Sequence, residues 1–134
     1  METLNDLMIR LKDMSVSASR AKGIALEFDT GPGDGMPAIN LSPEVRRNLW
    51  LLLKEAVHNA IKHSGCTSFA VRASYDDHRV KIRVADNGRG FREESRSGGK
   101  GLGTMRMRAG QIGAALDIET REGQGTTVTV TFSL

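Results

Sequence analysis

Cysteine is nearly missing from this 134-residue chain: Cys66 stands alone. That excludes an internal disulfide and any metal site built from a cysteine cluster. Aromatic residues are scarce as well, with four Phe, one Trp and one Tyr, a thin stacking surface for single-stranded nucleic acid. No apolar run approaches the roughly 18 residues of a membrane span, and no stretch with the make-up of a signal peptide opens the chain. A large charge imbalance is missing too: 19 Lys and Arg face 16 Asp and Glu, a formal net charge of +3. The resulting pI near 9.4 leaves a nucleic-acid role open in principle only. With 39% apolar and 26% charged residues the chain can bury a core, and its length suits one domain.

Glycine, by contrast, is plentiful, and its distribution is uneven. Of 15 Gly, eight (Gly88, Gly90, Gly98, Gly99, Gly101, Gly103, Gly110 and Gly113) fall in one stretch. Positive charge collects in the same place. Between Asn87 and Gly110 six basic residues (Arg89, Arg92, Arg96, Lys100, Arg106 and Arg108) face Glu93 and Glu94, a net of +4 that leaves −1 for the rest of the chain. A near-neutral domain with one basic, glycine-rich segment suits a triphosphate better than a nucleic-acid backbone.

Leu4, Leu7, Met8, Leu11 and Met14 have helical spacing, and the pattern weakens from Ser15 to Ser19. Ile24 to Asp29 alternates like a strand, and Gly31 to Pro37 reads as a loop. Ser42 as N-cap, Pro43 in the first turn and Glu44 beside the dipole predict a helix running to Ser64 and stopped by Gly65. Phe69–Tyr75 and Val80–Val84 alternate and form a hairpin through Asp76-Asp77-His78. Residues 86–103 lack periodicity. Leu102, Met105, Ala109 and Ile112 predict a short helix, followed by strands at Leu116–Glu119 and Thr127–Leu134. Adjacent antiparallel strand pairs with helices on one face give an α+β two-layer sandwich.

Three places carry chemistry. On the long helix Leu49, Leu52, Leu53, Ala56, Val57 and Ala60 form the core face, and Glu55, Asn59 and Lys62 run along its border. A carboxylate, an amide and an ammonium there suit a hard cation and a phosphate. The same row also fits a solvated helix edge with a Glu–Lys pair. Asp86-Asn87-Gly88-Arg89-Gly90 ends a strand: Asp86 can accept from an exocyclic amine, and the glycines leave room for a flat ring. Ser97-Gly98-Gly99-Lys100-Gly101-Leu102-Gly103 feeds a helix N-terminus, a setting for phosphate. Leu102 and Met105 share a helix face and read as core, Trp50 as packing, and Cys66 as a structural thiol.

Taken together, Lys54 to Ser64, Asp86 to Phe91, Gly99 to Arg108 and Gly125-Thr126 resemble the N, G1 and G2 boxes and closing Gly-Thr of the GHKL ATPases. Within that superfamily the chain is most similar to the catalytic ATP-binding domain of bacterial sensor histidine kinases. The Gly-x-Gly-Leu-x-x-Met-x-x-Arg pattern resembles the subfamily that signals to LuxR-type response regulators. The resemblance covers about residues 24–134, with residues 1–23 as either the domain's first helix or the tail of a helical linker. It implies the Bergerat fold, a mixed and mainly antiparallel sheet with helices on one face.

By that resemblance Asn59 coordinates Mg²⁺ between the phosphates of ATP, and Glu55 is the catalytic acidic residue acting on the attacking group. Lys62 and His63 contact phosphate. Asp86 reads adenine, Gly88 and Gly90 let the base lie against the loop, and Thr126 completes the water network there. Residues Phe91 to Gly103 form the ATP lid, with Gly99, Gly101 and Gly103 as flexible points, Lys100 near the phosphates and Leu102 beside them. The implied partners are a dimerisation domain carrying a phosphoacceptor His and, indirectly, a response regulator; nucleic acid is not among them. The implied domain is monomeric in isolation and cytoplasmic, including the cytosolic end of a membrane-bound sensor. His58, His63 and His78 do not stand in a phosphoacceptor setting, so the acceptor is expected on another domain. A nucleotide-gated binding module and a serine kinase of the anti-sigma type are the alternative readings.

Overall fold

The computed structural model describes residues 2–31, 36, 38–90 and 100–134, with Lys100 and Gly101 described by their helical backbone. The first helix, α1 (Leu4–Lys22), begins at a reciprocal cap. The Thr3 hydroxyl accepts from the Asp6 N–H at 3.1 Å, and the Asp6 carboxylate accepts from the Thr3 N–H at 3.0 Å. The helix continues through Ser15 to Ser19, where the apolar pattern weakens. Ser15 and Ser19 are buried, the Ser19 hydroxyl donates to the Val16 carbonyl, and the stop comes at Gly23 in the left-handed region.

The long helix, α2 (Pro43–Lys62), is capped by the Ser42 hydroxyl, which accepts from the Val45 N–H at 3.2 Å. Its inward face is the expected set, from Leu49 to Ala60. It ends two residues earlier than expected. The Asn59 carbonyl accepts from both the His63 and Ser64 N–H groups, and the chain unwinds there before Gly65 takes a φ of +68°.

Five strands follow the order β1-β2-β3-β5-β4, where β1 is Ala25–Asp29, β2 Ser68–Asp76, β3 Arg79–Asp86, β4 Ala115–Arg121 and β5 Gly125–Ser133. Three of the pairings are antiparallel and β1 and β2 run parallel, which gives the expected mixed, mainly antiparallel sheet and singles out β1–β2 as the pair that strand alternation alone did not distinguish. The reason lies in the connection. α2 sits between these two strands in the chain, and a long crossover of this kind returns a strand in the same direction. The β2–β3 hairpin turns through Asp77 and His78, both left-handed at φ 51° and 62°, as a two-residue hairpin loop requires.

A third described helix, α3 (Lys100–Gln111), packs on α2. Gly101 and Gly103, expected as flexible points, lie in its first turn. Leu102, Met105 and Ala109 are buried on one face, so apolar packing draws residues 100–103 into the helix. The inward residues of the central strands, including Val71, Val80, Ile82, Val84, Val128 and Val130, are buried beneath the helices. Arg72, Lys81 and Arg83 on the opposite face are exposed. The result is the expected two-layer α+β sandwich, a mixed sheet with helices on one face.

Candidate functional site

Asp86 is the last residue of β3 and stands opposite Phe69 of β2 and Thr126 of β5. Strand alternation puts it on the helix-covered side, in line with Val84 and Ile82. Its Oδ1 accepts from the Gly88 N–H at 2.8 Å. Burial pushes the carboxyl above the usual Asp range, and the Gly88 and Thr126 N–H groups pull it back. Thr126 is buried, and its hydroxyl meets that of Thr120 at 3.0 Å. A half-buried carboxylate with acceptor capacity beyond Gly88 is suited to a neutral N–H donor.

Packing within the protein accounts for the absence of side chains at Gly88 and Gly90. A side chain at Gly88 would collide with Ser64 at the end of α2, and one at Gly90, whose φ is +68°, with the Arg121 carbonyl. These directions are filled by protein, so the glycines let the loop lie against α2 and against the β4–β5 turn. That changes the physical reason for them. The loop is also tied by hydrogen bonds: the Arg89 N–H donates to the Ser64 carbonyl at 2.8 Å, and the Gly123 N–H to the Arg89 carbonyl. Asn87 reaches the start of β2, where its Oδ1 accepts from the Thr67 and Ser68 N–H groups.

Ser64, Asn87 and Gly125 were not picked out as site residues by the sequence. Ser64 is buried, donates to the Ala60 carbonyl at 2.6 Å and accepts from the Cys66 N–H at 3.0 Å. Gly125, at φ +99°, leaves no space for a side chain beside the Asp86 carbonyl. The available signal was their place inside the motif segments Lys54 to Ser64, Asp86 to Phe91 and Gly125-Thr126, with no local pattern to give them a contact.

On the α2 edge, Glu55 and Asn59 are half-buried, while Lys62 and His63 are exposed. The side chains of Glu55 and Asn59 make no hydrogen bond or ion pair among the described residues. A Glu55–Lys62 pair does not form there either, since seven residues of helix separate them by about 10 Å along the axis. Lys62 closes α2 and His63 is its C-cap, where positive charge also complements the helix dipole. At the start of α3, Lys100 and Gly101 are in the helical first turn, and Gly103 is exposed. Leu102 is a core residue, as its helix face suggested, so any contact it makes with phosphate would come from its backbone. Gly99 and the rest of the expected lid up to it, residues 91–99, lie outside the described residues.

The structure therefore joins Asp86, Gly88, Gly90 and Thr126 into one patch and ties it to the end of α2. A separate trough of about 620 Å³ on the open face is lined by outward residues such as Arg72, Arg83, Asp117 and Thr129. It belongs to the side of the sheet opposite Asp86.

Comparison with known proteins places this architecture. Residues 44–134 match the family described as histidine kinase-, DNA gyrase B-, and HSP90-like ATPase. The nitrate/nitrite sensor protein NarQ of Escherichia coli (strain K12) is 36% identical over 131 residues, which cover 95% of this chain and 22% of NarQ. The chain spans a quarter or less of the length of the first curated relatives it matches. The histidine kinase domain of the blue-light activated histidine kinase of Erythrobacter litoralis EL346 aligns over 100% of this chain and 64% of its own, at TM-score 0.76 and 21% identity. ShkA, solved at full length in complex with AMPPNP, aligns over 96% of this chain and 29% of its own, at TM-score 0.75 and 22% identity. At these identities the structures establish a shared fold, and the sequence match over most of the chain establishes kinship. The chain belongs to the histidine kinase-, DNA gyrase B-, and HSP90-like ATPase family and is homologous to bacterial sensor histidine kinases.

Proposed function

We propose that this chain binds Mg²⁺-ATP and delivers the γ-phosphoryl group to a histidine on a separate dimerisation and phosphoacceptor domain. From there the group passes to an aspartate of a response regulator with LuxR-type output. The observation that carries the reading is the half-buried Asp86 carboxylate, bonded to Gly88 and backed by Thr126 at a strand end, in a chain of this ATPase family. Kinship with the sensor protein NarQ and a fold shared with ShkA, solved in complex with AMPPNP, support it.

In this reading Asp86 accepts from the exocyclic amine of adenine, and Thr126 supports the water beside it. Lys62, His63 and Lys100 face phosphate charge, together with the first-turn N–H groups of α3 around Gly101 and Gly103. Glu55 orients the attacking imidazole and takes its proton. Asn59 presents an amide oxygen half-buried on the edge of α2, with no partner among the described residues. That donor fits a hard cation. Among the described residues no group of three or more His, Cys, Asp or Glu could hold a metal unaided, whereas Mg²⁺ commonly shares its ligands between a protein oxygen and phosphates. When bound, the ion supplies charge neutralisation at the β- and γ-phosphates.

Helix α1 fits as the domain's own first helix, since Leu4, Leu7 and Leu11 are fully buried and α1 packs on α2 and β1. Among the described residues no helix is long and apolar enough to cross a membrane, and we place the domain on the cytoplasmic side, where ATP is.

Calorimetry of ATP with and without Mg²⁺ tests the first half. Binding that Asp86→Ala weakens is expected, and no binding in either condition overturns the reading. γ-Labelled ATP with a phosphoacceptor domain tests the second half. The expected product is an acid-labile phosphoprotein; an acid-stable one indicates transfer to Ser or Thr, and binding without transfer indicates a nucleotide-gated module.

A further inference from the structure

The β2–β3 ladder has its last backbone pair at Phe69 and Asp86. One residue later the main chain turns away toward Gly88, and there a side chain continues the pairing. Asn87 Oδ1 accepts from the Thr67 N–H at 3.0 Å and the Ser68 N–H at 3.1 Å, while its Nδ2 donates to the Thr67 hydroxyl at 2.9 Å. The backbone N–H of Asn87 donates to the Ser68 carbonyl at 3.3 Å. Two donors on one oxygen and an acceptor for the nitrogen fix the orientation of the amide. All three side-chain bonds span 19 or 20 residues of sequence. This exposed side chain therefore fastens the loop to the strand beside it.

We propose that Asn87 is a positioning residue for Asp86, and that by pinning the loop to the mouth of β2 it sets the preference for a 6-amino purine over a 6-oxo purine. The inference rests on the nucleotide reading above. Asp86 adjoins Asn87, and its Oδ1 is held by the N–H of Gly88, on the other side of Asn87. The carboxylate keeps its place only while the segment between them does. Gly88 is pressed against Ser64, and Arg89 is bonded to the Ser64 carbonyl, so the far side of the loop is fixed to α2. Asn87 fixes the near side to β2. A carboxylate held in this way rewards an amine donor and repels a carbonyl oxygen at the same position. Released, it can swing aside, which loses the amine contact and relaxes the repulsion.

The test is the affinity of this chain for ATP and for inosine triphosphate, which carries oxygen in place of the 6-amino group. Both are measured by calorimetry for the parent, Asn87→Ala and Asn87→Asp, with melting curves for each. The parent is expected to bind ATP at least about tenfold more tightly than inosine triphosphate. Asn87→Ala loses about tenfold for ATP and less than about twofold for inosine triphosphate, so the ratio collapses. Asn87→Asp keeps the oxygen that accepts the two N–H groups and returns ATP binding to within about threefold of the parent. Equal losses for the two nucleotides in Asn87→Ala, or an unchanged ratio, overturn the proposal, because a general loosening of the fold affects both alike. Should Asn87→Ala fail to fold, Thr67→Val removes only the hydroxyl that receives Nδ2–H. There a narrowing of the ratio by about two- to threefold is expected, and an unchanged ratio overturns the proposal. A parent chain that binds neither nucleotide overturns the nucleotide reading itself. One that binds both equally leaves that reading standing and overturns the role of Asn87.

Discussion

Asp86 and Asn59, which the proposed reading assigns to the two ends of one nucleotide, are held in opposite ways. Asp86 sits at a strand end where its carboxylate, the loop beyond it and the turn between β4 and β5 are bonded to one another and to the end of α2. Asn59 and Glu55 stand half-buried on a helix edge, and among the described residues nothing holds their side chains. The difference matches what each end of a nucleotide brings. A neutral base carries little charge to organise its surroundings, so the groups that read it have to be in place beforehand. A triphosphate with its metal organises its own ligands, and side chains that meet it can stay solvated until it arrives. One end is built as part of the fold, and the other is left open along a helix that the fold needs anyway.

If the base end is part of the fold, damage to it should appear first as lost stability. Gly88→Ala puts a methyl group into the Ser64 side chain and carbonyl, backbone and a buried residue that cannot move aside cheaply. The expected cost is about 3 kcal/mol, with a fall in Tm of roughly 10 °C, and nucleotide binding falls with it. Thermal unfolding without ligand checks this. An unchanged Tm would mean that the loop does not lie on α2, and the contrast between the two ends would disappear.

Asp86 itself separates the fold from the function. Burial raises its carboxyl pKa above the ordinary 3.8, so the folded chain favours the protonated acid. At neutral pH this group weakens the folded state, and the penalty is relieved as pH falls through the raised value toward 3.8. Asp86→Asn keeps an oxygen for the Gly88 N–H and removes the charge. The variant should therefore melt higher than the parent at neutral pH, and the advantage should shrink through that acid window. Its affinity for ATP should fall by roughly a hundredfold, since an ionised acceptor is replaced by an amide. Unfolding at a series of pH values, paired with calorimetry, checks both halves; a variant that melts lower at neutral pH contradicts the assigned cause of the shift.

These two ends were not equally legible in the sequence. The core face of α2, its Ser42 cap, the hairpin at Asp77 and the alternation of β2, β3 and β5 follow from local spacing, and the structure has them. Asp86 and the glycines stood out for the same reason, since they interrupt alternation. Their partners did not. Ser64 and Gly88 are in contact only because the C-terminal ends of α2 and of the central strand β3 meet, and a side chain that fills another residue's missing Cβ leaves no local trace. The parallel pairing of β1 with β2 was hidden likewise, because alternation is the same in either direction. At α3, local composition misled: glycines at Gly101 and Gly103 suggested a loop, and tertiary packing of Leu102 and Met105 on α2 prevailed over their weak helix propensity.

The open end gives the reverse of the Gly88 outcome. Asn59→Ala removes a side chain with no partner among the described residues, so stability should change by less than about 0.5 kcal/mol. Binding of ATP in the presence of Mg²⁺ should fall by about 10- to 50-fold, and binding without the metal should change far less. Calorimetry in the two conditions makes the comparison. An equal loss with and without Mg²⁺ would move Asn59 from metal ligand to direct phosphate contact.

Lys62 gives the smallest effect and the finest distinction. It is exposed at the last position of α2, and an exposed charge acts on phosphate through solvent. Lys62→Ala should weaken ATP binding by about threefold at low salt. The screening length is about 10 Å at 0.1 M salt and about 3 Å at 1 M, so the ratio of variant to parent affinity should approach one as salt is raised. The deficit of Asp86→Asn should persist over the same range, because a half-buried hydrogen bond is poorly screened. Titrations of both variants and the parent from low to high salt check this. If the Lys62 deficit persisted at 1 M as well, the ammonium would be in direct, desolvated contact with the nucleotide, and the α2 edge would be as closely organised around its ligand as the Asp86 end.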